Sequence, residues 1–175
     1  MKVKIINISK IITWNPGSDS LDIYNNKEIL INDNTIIGIE DNFSQNYKTI
    51  DAKQSIITPG FIDSHTHPIF IGNRANEFQM RLNGMSYEEI KNAGGGILSS
   101  IRSLRKSSFN ELYEASLNNI KPFINLGTTT LEAKSGYGLT VEDEIKSLQV
   151  IKKINDELPI DIIPTFLGAH AVPKE

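Results

Sequence analysis

Two of the three histidines in this sequence lie two positions apart, at the end of an apolar segment. His65 and His67 close the run FIDSHTH, and the two-residue repeat of a strand would direct both imidazoles to the same side. Two neutral imidazoles that converge in this way can ligate one transition-metal ion without repelling each other. The pair predicts a metal site, although two polar loop residues or a buried pair bonded to the backbone would give the same pattern.

The surroundings of the pair favour the metal interpretation. Asp63 precedes it by two residues and could orient one ring, as metal-bound histidines usually require. The third histidine, His170, follows a later apolar segment that also reads as a strand. Parallel α/β folds keep their active sites at the carboxyl ends of strands, so we expect all three histidines at one edge of a sheet.

The elements that must position these residues change in character near residue 57. Residues 1–57 are short Ile-rich runs between polar turns, and residues 28–40 read as a hairpin around an Asn-Asp-Asn turn. This pattern predicts a β-rich domain without chemistry of its own. From residue 58 onwards, strands alternate with helical patterns as βαβαβ, which predicts parallel strands with right-handed crossovers.

Three serine or threonine residues predict where helices begin in the second part. Ser86 and Ser108 are each followed three residues later by glutamate, the signature of a capping box, and Thr140 can cap a further helix. Pro122 is expected to kink the second of these helices or to move its end. The third helix is expected to bury one row of residues, Ile145, Leu148, Ile151 and Ile154.

Composition excludes several classes of function. The 175 residues carry 18 basic and 21 acidic side chains and no dense basic run, which argues against a nucleic-acid partner. The absence of cysteine excludes disulfides and thiol catalysis and fits a reducing compartment. No apolar run approaches the roughly 18 residues of a membrane span, and the first residues lack a signal-peptide pattern. We therefore expect a cytoplasmic chain without a membrane partner.

Several segments resemble known sequences. TPGFIDSHTH, residues 58–67, resembles the first barrel strand of the amidohydrolase superfamily, whose metal-binding His-x-His is found there. Four later segments resemble the imidazolonepropionase family within it: GNRANEFQMRL, AGGGIL, EAKSGYGL and PTFLGAHAVP. The last two are the most specific. Residues 1–55 resemble the β-rich flanking domain of this family only in general character.

The resemblance implies a fold that this chain contains in part. It implies a small β-rich domain (a β-sandwich) over residues 1–57 and the first three βα units of a TIM (β/α)8 barrel over 58–175. A complete barrel usually needs about 250 residues. The family places a third metal-binding histidine, its catalytic carboxylates and a metal-binding aspartate on later strands. We therefore expect an N-terminal portion of a longer enzyme, inactive alone, and assign no catalytic residue within it.

The resemblance also implies an activity in histidine degradation. The family hydrolyses the cyclic amide of 4-imidazolone-5-propanoate to N-formimidoyl-L-glutamate with one zinc or iron ion, and its habit is a homodimer. By this analogy His65 and His67 ligate the metal, while Arg74, Tyr137 and His170 hold the substrate. A guanidinium can clamp the propanoate carboxylate, the tyrosine offers a hydroxyl, and the histidine can bond the ring or carry a proton.

Other interpretations of the same residues stay open. The chain could be a different cyclic amidohydrolase or a deaminase of the superfamily, or a non-catalytic remnant. Arg74 could be a surface arginine, and Tyr137 could pack a loop. Glu132 and Lys134 are expected to form an ion pair. The glycines of 94–96 are expected to form a tight turn and not a nucleotide loop, because the Gly-Lys-Ser/Thr ending of such a loop does not follow them.

Overall fold

The computed structural model describes residues 2–172, and contacts between residues divide them into two units. The first unit ends at Pro59 and the second begins at Gly60. The sequence predicts a flanking domain over residues 1–57 and part of a barrel over residues 58–175. That division into domains stays a prediction. No described helix has the length and apolar character that a membrane crossing needs.

From residue 2 to Pro59, the first unit contains strands and no helix. They are β1 (Lys2–Ile6), β2 (Lys10–Asn15), β3 (Ser20–Asn25), β4 (Glu28–Asn32), β5 (Thr35–Glu40), β6 (Lys48–Asp51) and β7 (Ile56–Ile57). One sheet has the order β5-β4-β1-β6 and the other β3-β2-β7. β4 and β5 pair antiparallel as the predicted hairpin, and Asp33 in its turn adopts a left-handed φ of 52°. Ile8, Ile11 and Ile29 form the core.

The second unit is α/β, as predicted. Its elements are β8 (Phe61–Asp63), α1 (Ala75–Leu82), α2 (Tyr87–Asn92), α3 (Ile97–Lys106), α4 (Phe109–Asn125), β9 (Thr128–Lys134), α5 (Val141–Glu157) and β10 (Asp161–Thr165). The three strands are parallel in the order β10-β9-β8. Leu131 of β9 is fully buried against Leu112 and Ile120 of α4 and Ile151 and Ile154 of α5. β10 is the edge strand in this order, the place where a sheet tolerates Pro164.

The predicted caps form. Ser86 and Ser108 each accept a hydrogen bond from the backbone N–H of the glutamate three residues on, and each glutamate carboxylate accepts one from the backbone N–H of its serine. Thr140 accepts from the backbone of Asp143 at the start of α5. Pro122 lies inside α4, which continues past it to Asn125.

The buried face of α5 differs from the predicted one. Ile145 is 48% exposed, so its place in the predicted buried row is wrong, while Ile151 and Ile154 are fully buried as predicted. The preceding residue, Glu144, is 3% exposed. The first turn of α5 thus buries a carboxylate and not the expected isoleucine. That carboxylate accepts hydrogen bonds from three backbone N–H groups of the preceding loop.

Candidate active site at the carboxyl ends of three parallel strands

The predicted site residues follow the carboxyl ends of all three strands of the second unit. His65 and His67 come after β8, Tyr137 after β9 and His170 after β10. Because β8, β9 and β10 are parallel, these ends meet at one edge of the sheet. This edge is where α/β folds bind ligands.

Four of the five predicted residues form a cluster of rings. The ring centroids of His65 and His67 are 5.5 Å apart, and His170 stacks on His67 at 4.9 Å with an interplanar angle of 19°. Tyr137 lies 5.8 Å from His67 and 5.3 Å from His170. We call these four residues the ring cluster. The structure therefore brings the predicted metal ligands and two predicted substrate-binding residues together.

Thr66, between the two histidines, attaches their segment to β9. Its hydroxyl donates to the carbonyl of Glu132, and its carbonyl accepts from the backbone N–H of Lys134 at 3.1 Å. Asp63, expected to orient an imidazole ring, instead accepts a hydrogen bond from the backbone N–H of His65 at 3.3 Å. Backbone bonds, more than a carboxylate on a ring, therefore fix the histidine segment in this structure.

The surroundings of His67 favour the neutral form of its imidazole. Burial lowers the pKa of its imidazole, and the neighbouring His170 and His65 lower it further, so the neutral ring is favoured. Its Nδ1 atom is buried and has no hydrogen-bond partner among the described residues. A neutral imidazole is the form that ligates metal ions.

The donor set that the described residues offer is partial. Among residues 2–172 no group of three or more histidine, cysteine, aspartate or glutamate side chains is arranged to hold a metal ion. The histidine pair and the unpartnered nitrogen of His67 thus fit a metal as two of its ligands, and a catalytic zinc ordinarily has three from protein.

The loop between β9 and α5 holds Tyr137 in place. The backbone N–H groups of Gly136, Gly138 and Leu139 donate to the carboxylate of Glu144 at 2.9, 2.8 and 2.9 Å. Gly136 has a φ of 110°, a conformation that other residues rarely adopt. The position of Glu144 was not predicted from the sequence.

A pocket of about 310 Å³ opens beside Tyr137. Its lining combines the segment before α1, one face of α3 and the tyrosine: Phe70, Ile71, Gly72, Asn73, Arg74, Ser99, Ser100, Ser103 and Tyr137. Burial raises the pKa of Tyr137, although Arg74 opposes the shift, so its hydroxyl stays protonated and can donate. Arg74, the fifth predicted residue, thus lines the same pocket as Tyr137, which is also a member of the ring cluster.

Arg74 is held by a carboxylate of α1. Its Nε and Nη2 atoms lie 2.8 and 2.7 Å from Oε2 of Glu77, and Oε1 of Glu77 accepts from the backbone N–H of Gly96 at 2.9 Å. The hydrogen bond from Arg74 lowers the pKa of Glu77. Two of the five guanidinium N–H groups are thus engaged, and an incoming carboxylate can use the others.

Glu132 and Lys134 form the expected ion pair on β9. Lys134 Nζ contacts Oε1 of Glu132, which also accepts from the Thr165 hydroxyl at 2.7 Å. These hydrogen bonds, from Lys134 and then Thr165, lower the pKa of Glu132. Glu132 therefore joins β9 to β10 through the Thr165 hydroxyl.

No protein-family model matches the chain, but it is similar in sequence to several curated imidazolonepropionases. It is 43% identical to the one from Brevibacillus brevis over 191 aligned residues, which cover 99% of this chain and 45% of that protein. It is 44% identical to the one from Kosmotoga olearia over 98% of this chain and 44% of that protein. With the one from Christiangramia forsetii it shares 52% identity over 73% of this chain. The chain spans less than half the length of these relatives.

The fold resembles solved hydrolases at low sequence identity. An atrazine chlorohydrolase from Arthrobacter aurescens TC1, solved with zinc, superposes with a TM-score of 0.58 at 14% identity, covering 94% of this chain and 35% of that one. A structure described as an amidohydrolase superposes with a TM-score of 0.55 at 20% identity, covering 95% of this chain and 32% of that one. The described fold is consistent with part of an amidohydrolase fold.

Proposed function

We propose that the chain belongs to the imidazolonepropionases over the part of their length that it spans, and that it supplies the metal-binding and substrate-holding edge of such an enzyme. The reaction would be hydrolysis of the cyclic amide of 4-imidazolone-5-propanoate to N-formimidoyl-L-glutamate in histidine degradation. The observation that carries the proposal is the ring cluster, which gathers side chains from the ends of β8, β9 and β10.

The fold proposed is the first three βα units of a (β/α)8 barrel, preceded by a β-sandwich. Three parallel strands in sequential order support the first part, and two sheets in the first unit support the second. On this proposal the chain is an N-terminal portion of the enzyme, and further metal ligands and the general base belong to later strands. We expect the 175-residue chain alone to lack turnover.

His65 and His67 would hold one zinc or iron ion, which supplies a water acidified towards a pKa of about 7. The lowered pKa of His67 supports this role, because the ring is available without first losing a proton. Imidazole suits both metals, so the donor set favours neither.

Arg74, Tyr137 and His170 would hold the substrate. The free N–H groups of Arg74 suit the propanoate carboxylate, and the hydroxyl of Tyr137 lines the same pocket. His170 Nδ1 lies 3.0 Å from the carbonyl oxygen of Gly136 and donates to it. Its Nε2 is therefore the atom left to accept a hydrogen bond from the substrate ring or, when protonated, to donate one.

The proposal also concerns the partners of the enzyme and its cellular compartment. A small-molecule substrate, with neither nucleic acid nor membrane as a partner, fits the charge of −3 and the lack of a basic run. A chain without cysteine fits the reducing cytoplasm. The homodimer expected for the complete enzyme stays a prediction.

The complete reading frame that contains the chain tests this proposal. Its product should convert 4-imidazolone-5-propanoate to N-formimidoylglutamate and leave hydantoin-type rings unopened. Opening of a hydantoin ring in preference to the imidazolone would favour another cyclic amidohydrolase. A stop after codon 175, followed by unrelated sequence, together with no turnover, would favour the non-catalytic remnant.

A further inference from the structure

Glu144 is a buried carboxylate that the proposed reaction leaves without a role. It lies in the first turn of α5 and is 3% exposed. Charged side chains are rarely buried unless hydrogen bonds compensate for their lost hydration. Here both oxygens accept from one loop: Oε2 accepts from Gly136, and Oε1 accepts from Gly138 and Leu139. The carboxylate thus fixes a backbone segment of four residues.

The middle of that segment is Tyr137, and the backbone on either side of it has little freedom. A side-chain carbon on Gly138 would lie 2.7 Å from backbone and side-chain atoms of Asp143. The carbonyl of Gly138 accepts a hydrogen bond from Arg105 Nε at 2.7 Å. The loop is therefore pressed against the start of α5, and this contact, together with Glu144, sets the position from which Tyr137 reaches the pocket.

Gly136 extends the effect of Glu144 to His170. Its N–H donates to Glu144, while its carbonyl accepts from His170 Nδ1 at 3.0 Å. A side-chain carbon on Gly136 would lie 2.9 Å from the carbonyl oxygen of Leu167 and from Cβ of His170. A single residue, Gly136, thus connects the buried carboxylate to the ring at the end of β10.

We propose that Glu144 is a positioning residue of the substrate site, which holds Tyr137 and His170 in the relative arrangement that the ligand needs. This inference rests on the proposed function, because Tyr137 and His170 are substrate-holding residues there. Glu144 touches neither the substrate nor the metal in this account and acts through the loop that it clamps. A helix-stabilising role alone would leave the two rings where they are.

The variant Glu144→Gln separates the two roles. Glutamine has nearly the same size but one acceptor oxygen, so at least one of the three backbone amides must face an NH2 group. Glu142→Gln is the matched control, because Glu142 lies in the same first turn, carries the same charge and is exposed. Both variants remove one negative charge from the start of α5. Any difference between them therefore reports the hydrogen bonds that Glu144 accepts from Gly136, Gly138 and Leu139.

The experiment uses nuclear magnetic resonance on the product of the complete reading frame. In Glu144→Gln the amides of Gly136, Gly138 and Leu139 should exchange with solvent about tenfold faster, the effect of losing one hydrogen bond. The ring signals of Tyr137 and His170 should shift. In Glu142→Gln both observables should match the wild type. Should Glu144→Gln fail to fold, Glu144→Asp, which keeps the charge on a shorter arm, carries the same measurements.

A second measurement tests whether the hydrogen bonds of Glu144 affect ligand affinity. The probe is 3-(imidazol-4-yl)propanoate, a stable compound with the ring and carboxylate chain of the proposed substrate. The wild type and Glu142→Gln should bind it with similar affinity, and Glu144→Gln should bind it about tenfold more weakly, with the ring signals already shifted before the probe is added.

The outcomes are distinguishable. Unchanged ring signals of Tyr137 and His170 in a folded Glu144→Gln chain overturn the inference, and so does unchanged probe affinity when the wild type binds. A wild-type product of the complete reading frame that does not bind the probe counts against the proposed function instead. In that case, shifted rings in Glu144→Gln and unshifted rings in Glu142→Gln still support the positioning role of Glu144.

Discussion

At the scale of single residues, the proximity of the candidate side chains was predictable from side-chain type, a short spacing and position at strand ends, while their roles stay predictions. His65 and His67 could be singled out because two imidazoles two residues apart at a strand end point to the same side, although loop residues or a buried pair give the same spacing. Tyr137 and Arg74 came from the resemblance of their segments to a family. Glu144 was missed because a glutamate in the first helical turn is ordinary on electrostatic grounds and its burial leaves no trace in the sequence.

The role of Arg74 leads to a prediction about substrate affinity. Arg74→Ala in the active enzyme should raise KM by about 10- to 100-fold, the effect of losing hydrogen bonds to a charged group, and leave metal content unchanged. Lys91→Ala, which removes an exposed positive charge from α2, is the control and should change neither. Steady-state kinetics and elemental analysis of both variants measure this. Equal loss of metal in Arg74→Ala would contradict the assignment.

At the scale of elements, the helices with a capping side chain were predicted correctly. The two helices without one, α1 and α3, were not predicted. The boxes at Ser86 and Ser108 rest on local hydrogen bonds that the sequence specifies directly. α1 buries none of its residues, and neither α1 nor α3 has a capping side chain at its N-cap residue, so neither gave a start signal. α3 does carry an apolar row that includes the buried Ile101 and Leu104, but the row is short. Tertiary contacts, such as that of Glu77 with the Gly96 backbone, determine where these helices begin.

The cap of α4 yields a stability prediction. Ser108→Ala should lower the free energy of unfolding by about 1 kcal/mol, because the N–H of Glu111 loses its acceptor. Asn110→Ala, at an exposed position of the same turn, should change it by less than about 0.5 kcal/mol. Denaturant unfolding followed by circular dichroism compares them. Equal effects would mean that the box contributes nothing specific.

Asp143, at the start of α5, yields a prediction about pH. Burial raises the pKa of its carboxyl, but hydrogen bonds from Lys146 and Thr140 outweigh burial and lower it overall. A lowered folded-state pKa stabilises the fold above the unfolded value of about 4 and ceases to do so as the pH falls through the folded value. The stability difference between wild type and Asp143→Asn should therefore be full at pH 6 and shrink below pH about 4. Unfolding free energies measured from pH 6 to 3 would contradict this if the difference stayed constant.

At the scale of the whole molecule, the α/β class and the parallel order followed from the alternation of strand and helix patterns. The chain carries apolar side chains that its second unit leaves exposed, among them Ile62 at 73% and Ile163 at 54%. Periodicity could not predict this exposure, because an apolar run on a strand reads as buried whether or not a neighbour covers it.

These exposed residues predict self-association of the 175-residue chain. Ile163→Thr keeps a β-branched side chain on the edge strand but removes apolar surface, so it should reduce self-association without loss of stability. Ile162→Thr, one residue earlier and 4% exposed, should instead lower stability by about 1–3 kcal/mol, because it buries a hydroxyl. Light scattering and denaturant unfolding separate the two, and unaltered scattering in Ile163→Thr would contradict the prediction.

The central claim is that the imidazoles of His65 and His67 hold a metal ion that the reaction requires. Its most direct test is the metal content and turnover of the product of the complete reading frame, measured in the wild type and in the His65→Ala/His67→Ala double variant. The account predicts about one equivalent of zinc or iron per chain in the wild type, and in the double variant the loss of both metal and imidazolone hydrolysis. An active wild type without stoichiometric metal, or a double variant with undiminished turnover, would contradict it.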